Sequence, residues 1–143
     1  MPDAETAAAK PQPVTPILKI PENGDPYLEG CKCGHCGEVF IGQRMVCANC
    51  GTRNKMQAIK LANKGKLYNF TIVHRNFPGV PVPFISAIVD LDGGGHIKGN
   101  LIDMVPSAEA IKFDMPVNVV FRDAGRKDKD GNSYMSYFFT PAN

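Results

Sequence analysis

The chain has 143 residues, which is enough for one compact domain or two very small ones and too few for a large barrel enzyme. Hydrophobic residues make up 43% and charged residues 21%, with a net charge of +2, which excludes a chain that is disordered throughout. No apolar run approaches the roughly 18 residues that cross a bilayer, and the start MPDAETAAAK lacks the features of a secretion signal. We therefore expect a cytoplasmic protein without a membrane segment.

The first 30 residues contain few side chains that can build a core. Residues 1–16 hold four prolines and four alanines and hardly any large apolar residue, so they predict a flexible tail. Residues 17–30 add apolar residues between prolines and a glycine, which indicates an irregular lead-in packed on another element. An extended continuation of the tail is the alternative.

Two Cys-x-x-Cys pairs, each followed by a glycine, come next and are separated by ten residues. The pairs are Cys33 with Cys36 and Cys47 with Cys50. Glycine permits the backbone turn after each pair, and two such turns supply four sulfur ligands in tetrahedral geometry. Residues 31–56 therefore predict a rubredoxin-like zinc ribbon. The Zn²⁺ is structural, because four protein ligands leave no open position for a substrate.

Three alternatives bear on this site. Iron also accepts four sulfurs, and the first pair reads Cys-Gly-His-Cys, a sequence that thiol oxidoreductases use for redox chemistry. The fifth cysteine, Cys31, lacks the spacing of the second pair and is expected to be a bystander, with Cys33 as the less favoured bystander. His35 is interpreted as a solvated loop residue.

The rest of the chain, residues 57–143, has the pattern of short strands. The five predicted segments are residues 66–74, 84–91, 96–103, 117–122 and 134–139. Ser107 can begin one or two helical turns between the third and fourth segments. Five strands with a short helix in this position are typical of the OB-fold barrel, and an SH3-like barrel is the alternative. The fold class is therefore mainly β, with a ribbon followed by a barrel.

Two loops of this barrel are candidates for binding, because OB folds bind ligands beside the loop after strand 1 and the loop between strands 4 and 5. The first, residues 75–83, is stiffened by three prolines and fits either a partner or ligand clamp or a rigid crossover. The second, residues 123–133, has mixed charges and is interpreted as a solvated hairpin. His74 is expected to be half-buried and structural, with a catalytic base as the alternative. No common nucleophile, phosphate-loop or zinc-protease motif occurs in the sequence.

In order and spacing, these motifs resemble one family. They are the two Cys-x-x-Cys-Gly turns, GKLYNFTIVHR from Gly65, PFISAIVDLD from Pro83, Gly99-Asn100-Leu101 and Met115-Pro116-Val117. Together they resemble the zinc-ribbon and OB-fold acyl-CoA-associated proteins over about residues 28–141. Members are small non-catalytic partners of thiolase-like enzymes. A free-standing chain of this length is most similar to the small subunit of benzoylsuccinyl-CoA thiolase.

The resemblance implies a required subunit of a thiolase complex that is not an enzyme by itself. It would dock on a thiolase-fold partner and help to form the acyl-CoA site, in benzoylsuccinyl-CoA cleavage during anaerobic aromatic degradation. Coenzyme A carries negative phosphates, and residues 31–75 hold eight lysines and arginines against one acid. The residues expected at the ligand are Lys66, His74, Arg75, Asn76 and Phe77.

A single-stranded nucleic-acid-binding protein is the alternative function, because both modules recur in such proteins. The absence of tryptophan and the small net charge weigh against nucleic acid as a partner.

Overall fold

The computed structural model describes residues 11–142, which form ten strands and no helix. The strands are β1 (Gln12–Pro13), β2 (Leu18–Lys19), β3 (Tyr27–Cys33), β4 (Val39–Ile41), β5 (Met56–Lys60), β6 (Lys64–Val73), β7 (Phe84–Leu91), β8 (His96–Leu101), β9 (Pro116–Lys127) and β10 (Ser133–Pro141). Within residues 11–142, no helix has the length and apolar character needed to cross a membrane.

Strands β6 to β10 form a closed five-stranded barrel, which confirms the predicted OB-like architecture. Antiparallel pairs join β6 to β7, β7 to β8, β9 to β10 and β6 to β9. The last seam, between β8 and β10, is parallel and rests on the single pair Leu101 and Phe139. All five predicted strand segments lie in this barrel.

The barrel interior follows the alternation of side chains along the strands. In β7, the residues predicted to share one face are all buried, namely Ile85, Ala87, Val89 and Leu91. Val117 and Val119 of β9 and the fully buried Phe139 of β10 complete the opposite wall. Period-two patterning therefore located this core correctly.

A bulge in β6 changes which residues face the core. Leu67 pairs with Val89 and Asn69 pairs with Ile88, so Tyr68 is an extra residue without a partner in β7. Leu67 is fully buried, whereas the Tyr68 side chain is 58% exposed. Regular alternation along residues 66–74 predicts that Tyr68 shares a face with Phe70 and Ile72, and the bulge makes this prediction wrong.

The helix predicted between β8 and β9 is a single turn in the structure. The Ser107 carbonyl accepts hydrogen bonds from the N–H groups of Ala110 and Ile111, at 3.1 and 3.2 Å. The Ser107 hydroxyl accepts one from the Glu109 N–H at 3.3 Å, as a helix-capping serine does. No helix follows within the described residues, and Asp114, with φ of 64°, leaves the right-handed helical region before β9 begins.

A smaller sheet, formed by β2 to β5 and called here the small sheet, precedes the barrel. Its strand β3 pairs antiparallel with β2, β4 and β5. The lead-in 17–30, predicted to be irregular, contains β2 and the start of β3. Residues 57–60 are predicted to lie in the barrel. In the structure they belong to β5 and extend the small sheet.

The N-terminal segment crosses from the barrel to the small sheet. Of the predicted flexible tail, residues 1–10 lie outside the described residues, while β1 pairs parallel with β10. The Val14 N–H donates to the Met135 carbonyl at 3.0 Å, and Leu18 is buried. Leu18 and Leu28 of the small sheet belong to the same buried apolar cluster as the barrel interior, so one core spans both sheets.

We expect Leu67→Ala to lower the free energy of unfolding by about 2–5 kcal/mol, because it removes a fully buried side chain beside the β6 bulge. Chemical denaturation measures this change. The matched control is Lys66→Ala at the neighbouring exposed position, with an expected change within about 0.5 kcal/mol. Equal losses for the two variants would contradict the placement of the bulge.

Candidate functional site

The four cysteines of the two Cys-x-x-Cys pairs lie on two turns of similar shape. Cys33 is the last residue of β3, and Cys36 lies in the connection to β4. Cys47 and Cys50 lie in the connection from β4 to β5. The small sheet therefore presents the two pairs at one end.

Both turns have the same backbone hydrogen bonds. The Cys33 N–H donates to the Glu38 carbonyl at 2.9 Å, and the Cys47 N–H donates to the Thr52 carbonyl at 3.0 Å. The glycine after each pair donates its N–H to the carbonyl of the first cysteine. Gly37 and Gly51 have φ of 83° and 79°, so the predicted role of these glycines is confirmed at the backbone.

The four sulfur atoms lie within 4.8 Å of one another. The Cys36 and Cys47 sulfurs are 3.6 Å apart, and the Cys33 and Cys50 sulfurs are 3.8 Å apart. With metal–sulfur distances of about 2.3 Å, the edges of a sulfur tetrahedron are about 3.8 Å long. The donor set and its dimensions therefore fit a metal ion such as zinc.

Hydrogen-bond donors point at the sulfurs of the first pair. The N–H groups of His35 and Cys36 point at the Cys33 sulfur, at 3.4 and 3.5 Å. The Asn49 side-chain amide lies 3.6 Å from the Cys36 sulfur and lowers the pKa of that thiol. Such contacts stabilise thiolates, which are the form that binds a metal.

The surroundings shift the pKa values of the two cysteines of the second pair in opposite directions. The Thr52 side chain, 3.1 Å from the Cys50 sulfur, and the Thr52 backbone lower the pKa of Cys50 to about 6. The Cys50 N–H acts to lower the pKa of Cys47, but burial and the sulfurs of Cys36 and Cys50 outweigh it and raise that pKa to about 11. Burial and the neighbouring sulfurs therefore disfavour the thiolate of Cys47 in the absence of a cation.

Cys31 lies outside the four-sulfur group. It is fully buried in the middle of β3, opposite Phe40 of β4 and Ala58 of β5. The side chain of His35 is exposed in the first turn and is not part of the group. This arrangement agrees with a packing role for Cys31.

The structure separates the predicted ligand residues into two places. Lys66 is exposed at the start of β6, opposite Asp90 and Pro116. The run His74 to Phe77 follows the far end of that strand, about 25 Å away at the usual rise of a strand. His74 is exposed, so the expectation that it is half-buried is wrong.

Two other basic residues of segment 31–75 make cation–π contacts with aromatic rings of the small sheet. The Arg44 guanidinium lies 4.6 Å from the centre of the Phe40 ring, and the Lys60 ammonium lies 4.6 Å from that of Tyr27. Arg44 and Phe40 line a cleft of about 440 Å³ between the small sheet and the barrel, with His96 on the other side. The basic residues therefore do not converge on one site.

The loop at residues 75–83 and the hairpin at residues 123–133 both border one groove, at the end of the barrel opposite the small sheet. The groove has a volume of about 540 Å³. It is lined by Val14, Asn76, Gly79, Val80, Pro81, Phe84, Asn100, Ala124, Gly125, Arg126, Ser136 and Phe138. Of the predicted ligand residues, only Asn76 lines it.

Sequence reasoning did not identify three kinds of residue in this groove. The sequence predicts Val14 to lie in the flexible tail, and it predicts Phe84 and Phe138 only as strand residues. Arg126 was placed in a solvated hairpin. Strand alternation could have indicated Phe84 and Phe138, whereas no local pattern indicates Val14, because its position follows from the pairing of β1 with β10.

Comparison with known proteins agrees with this architecture over most of the chain. A DUF35 domain-containing scaffold protein of Methanocaldococcus jannaschii is 33% identical over 117 residues, which are 80% of this chain and 81% of that protein. The chain belongs to the DUF35 family. A family profile for the C-terminal OB-fold domain of ChsH2 matches residues 58–122.

Two further similarities are to proteins whose names include an enzyme. The benzoylsuccinyl-CoA thiolase subunit BbsA of Geobacter metallireducens is 36% identical over 76 residues, 52% of this chain and 51% of that one. A solved Ltp2-ChsH2(DUF35) aldolase chain matches with a TM-score of 0.65 and 23% identity, and the match covers 82% of this chain and 86% of that chain. At this identity, the structural match establishes the fold.

We expect one zinc ion per chain in the purified wild type and in Cys31→Ala, and much less than one in Cys47→Ala. The reason is that Cys47 supplies one of the four clustered sulfurs, whereas Cys31 lies outside the group. Elemental analysis by mass spectrometry gives the metal content, and Co²⁺ titration reports sulfur coordination through its visible absorption. Loss of metal from Cys31→Ala to the same extent as from Cys47→Ala would exclude the assignment.

Proposed function

We propose that this DUF35 chain is a non-catalytic auxiliary subunit of a thiolase-type complex that processes acyl-CoA. The observation that carries the proposal is the similarity, over about four-fifths of the chain, to a protein described as a scaffold. The similarity to a thiolase subunit, over 52% of the chain, supports the choice of a thiolase-fold partner. BbsA belongs to benzoylsuccinyl-CoA thiolase, so benzoylsuccinyl-CoA cleavage in anaerobic aromatic degradation is the proposed reaction of the complex.

In this proposal Cys33, Cys36, Cys47 and Cys50 bind one structural Zn²⁺. The small sheet has few buried apolar residues of its own, and the bound metal supplies folding free energy that such a sheet lacks. Four thiolate ligands also require a reducing compartment, which fits the cytoplasm. The metal then holds the small sheet in a fixed shape for docking.

In this proposal, the thiolase-fold partner catalyses the reaction. A thiolase reaction needs a nucleophilic cysteine beside a base in a pocket that substrate can enter. Here four cysteines are proposed metal ligands, and Cys31 is fully buried. The chain instead contributes a surface that helps to form the acyl-CoA site. Of the residues proposed for the ligand, His74, Arg75, Asn76 and Phe77 lie together and border that site where the subunits meet, whereas Lys66 lies about 25 Å away at the other end of β6 and contacts a different part of the ligand or none.

Co-expression with the thiolase-fold subunit encoded in the same genome tests this function. We expect a single hetero-oligomer in size-exclusion chromatography and low thiolase activity of the partner when it is purified alone. Addition of this chain should restore the activity, whereas this chain alone should not turn over a thioester. Two separate peaks together with full activity of the isolated partner would exclude the proposed role.

A further inference from the structure

The first binding loop presents a rigid apolar tip. Phe77, Pro78, Gly79 and Val80 form a β-turn, in which the Val80 N–H donates to the Phe77 carbonyl at 3.2 Å. Gly79, the third residue of the turn, has φ of 93°, as a type II turn with proline at its second position requires. Proline and the turn hydrogen bond limit the entropy that this loop loses when it is buried.

Phe77 is the most exposed large hydrophobic residue among residues 11–142, at 82%. Its N–H donates to the Asn76 side chain at 2.7 Å, which holds the start of the turn. Val80 and Val82 of the same loop are 42% and 43% exposed. A folded chain that holds an aromatic side chain in water on a stiffened turn incurs a hydration cost that contact with another molecule removes.

The groove beside this turn is lined by both apolar and polar residues. Val80 lines the groove and also belongs to the turn, so the two features are continuous. Phe84 and Phe138 are half-buried in the lining, while Asn100 and Ser136 add hydrogen-bonding groups. A projecting aromatic residue beside a groove that combines aromatic, aliphatic and hydrogen-bonding groups has the composition of a protein interface.

Two exposed arginines on this side of the barrel can bind acidic side chains of a partner. Arg75 is exposed beside the turn, and Arg126 is exposed in the groove lining. Neither arginine takes part in an ion pair within residues 11–142. The Arg126 guanidinium instead lies 5.7 Å from the centre of the Tyr134 ring, which leaves its N–H groups free for a carboxylate.

We propose that the turn Phe77–Val80 and the adjoining groove, the loop face, are the surface that binds the partner enzyme subunit. Phe77 enters an apolar pocket of the partner, and a partner segment with apolar and acidic side chains occupies the groove. This inference rests on the proposed function and specifies its docking surface. It assigns the interface to the end of the barrel opposite the small sheet.

Site-specific photocrosslinking tests the loop face. The photoreactive amino acid p-benzoylphenylalanine replaces Phe77 in one variant, Phe113 in a second and Met45 in a third. Phe113 and Met45 are matched controls, because they are 64% and 78% exposed and lie on the β8–β9 loop and on the small sheet. Each variant is co-expressed with the thiolase-fold subunit and irradiated.

The expected result is a crosslink to the partner subunit from position 77 and none from positions 113 and 45. A complex that crosslinks only through position 113 or 45 would overturn the loop face and leave the proposed function intact. A crosslink from position 77 to a second copy of this chain would overturn it as well. If the wild-type chain forms no complex at all, the proposed function and this inference both fail.

Binding measurements distinguish the contribution of Phe77 from that of the charge on Arg126. Phe77→Ser should weaken binding of the partner by about 30-fold, the effect typical of a central aromatic anchor, with an unchanged melting temperature. Phe113→Ser should bind like the wild type. Arg126→Glu should slow association most strongly at low salt, because rim charges act on the encounter rate. Equal affinities of Phe77→Ser and Phe113→Ser would contradict the proposal.

Discussion

The close contact between strand β4 and the Gly93–Gly95 turn of the barrel holds the two sheets of this protein together. A Cβ atom added to Gly94 would lie 2.8 Å from the Cβ of Val39, and one added to Gly95 would lie 3.1 Å from Ile41. Both glycines also have positive φ, at 121° and 99°. The triple glycine is therefore a hairpin, as its sequence indicates, and also the surface on which the small sheet packs.

The N-terminal segment contributes side chains to the core that the two sheets share. Leu18, Leu28 and Val39 join the barrel cluster, and the N-terminal segment passes from its pairing with β10 to its pairing with β3. At the start of this segment, the Gln12 side chain donates to Asp128 of the β9–β10 hairpin at 2.9 Å. Hydrogen bonds from Gln12 and Asn132 lower the pKa of Asp128 to about 2, with Asn132 the larger cause, so this carboxylate remains charged at neutral pH.

The architecture divides the proposed tasks between two ends of one rigid body. The four-sulfur cluster lies at the end of the small sheet, where a metal ion would order a segment with little core. The loop face lies at the far end of β6, where the barrel strands hold both of its loops in place. A scaffold of this kind can position a partner without any group that reacts, because its specificity comes from shape, rigid anchors and charge.

Local patterns in the sequence determined the elements of this fold and the candidate metal site. Two Cys-x-x-Cys-Gly turns can bring together their sulfurs because the spacing within each turn sets the geometry, and alternation along β7 identifies its buried face. The tertiary structure alone decided the bulge at Tyr68, the exposure of His74, the distance of Lys66 from the loop at residues 74–83, and the pairing of β1 with β10. Each of these depends on strand register or on contacts between residues far apart in the chain. No local sequence pattern indicates either of them.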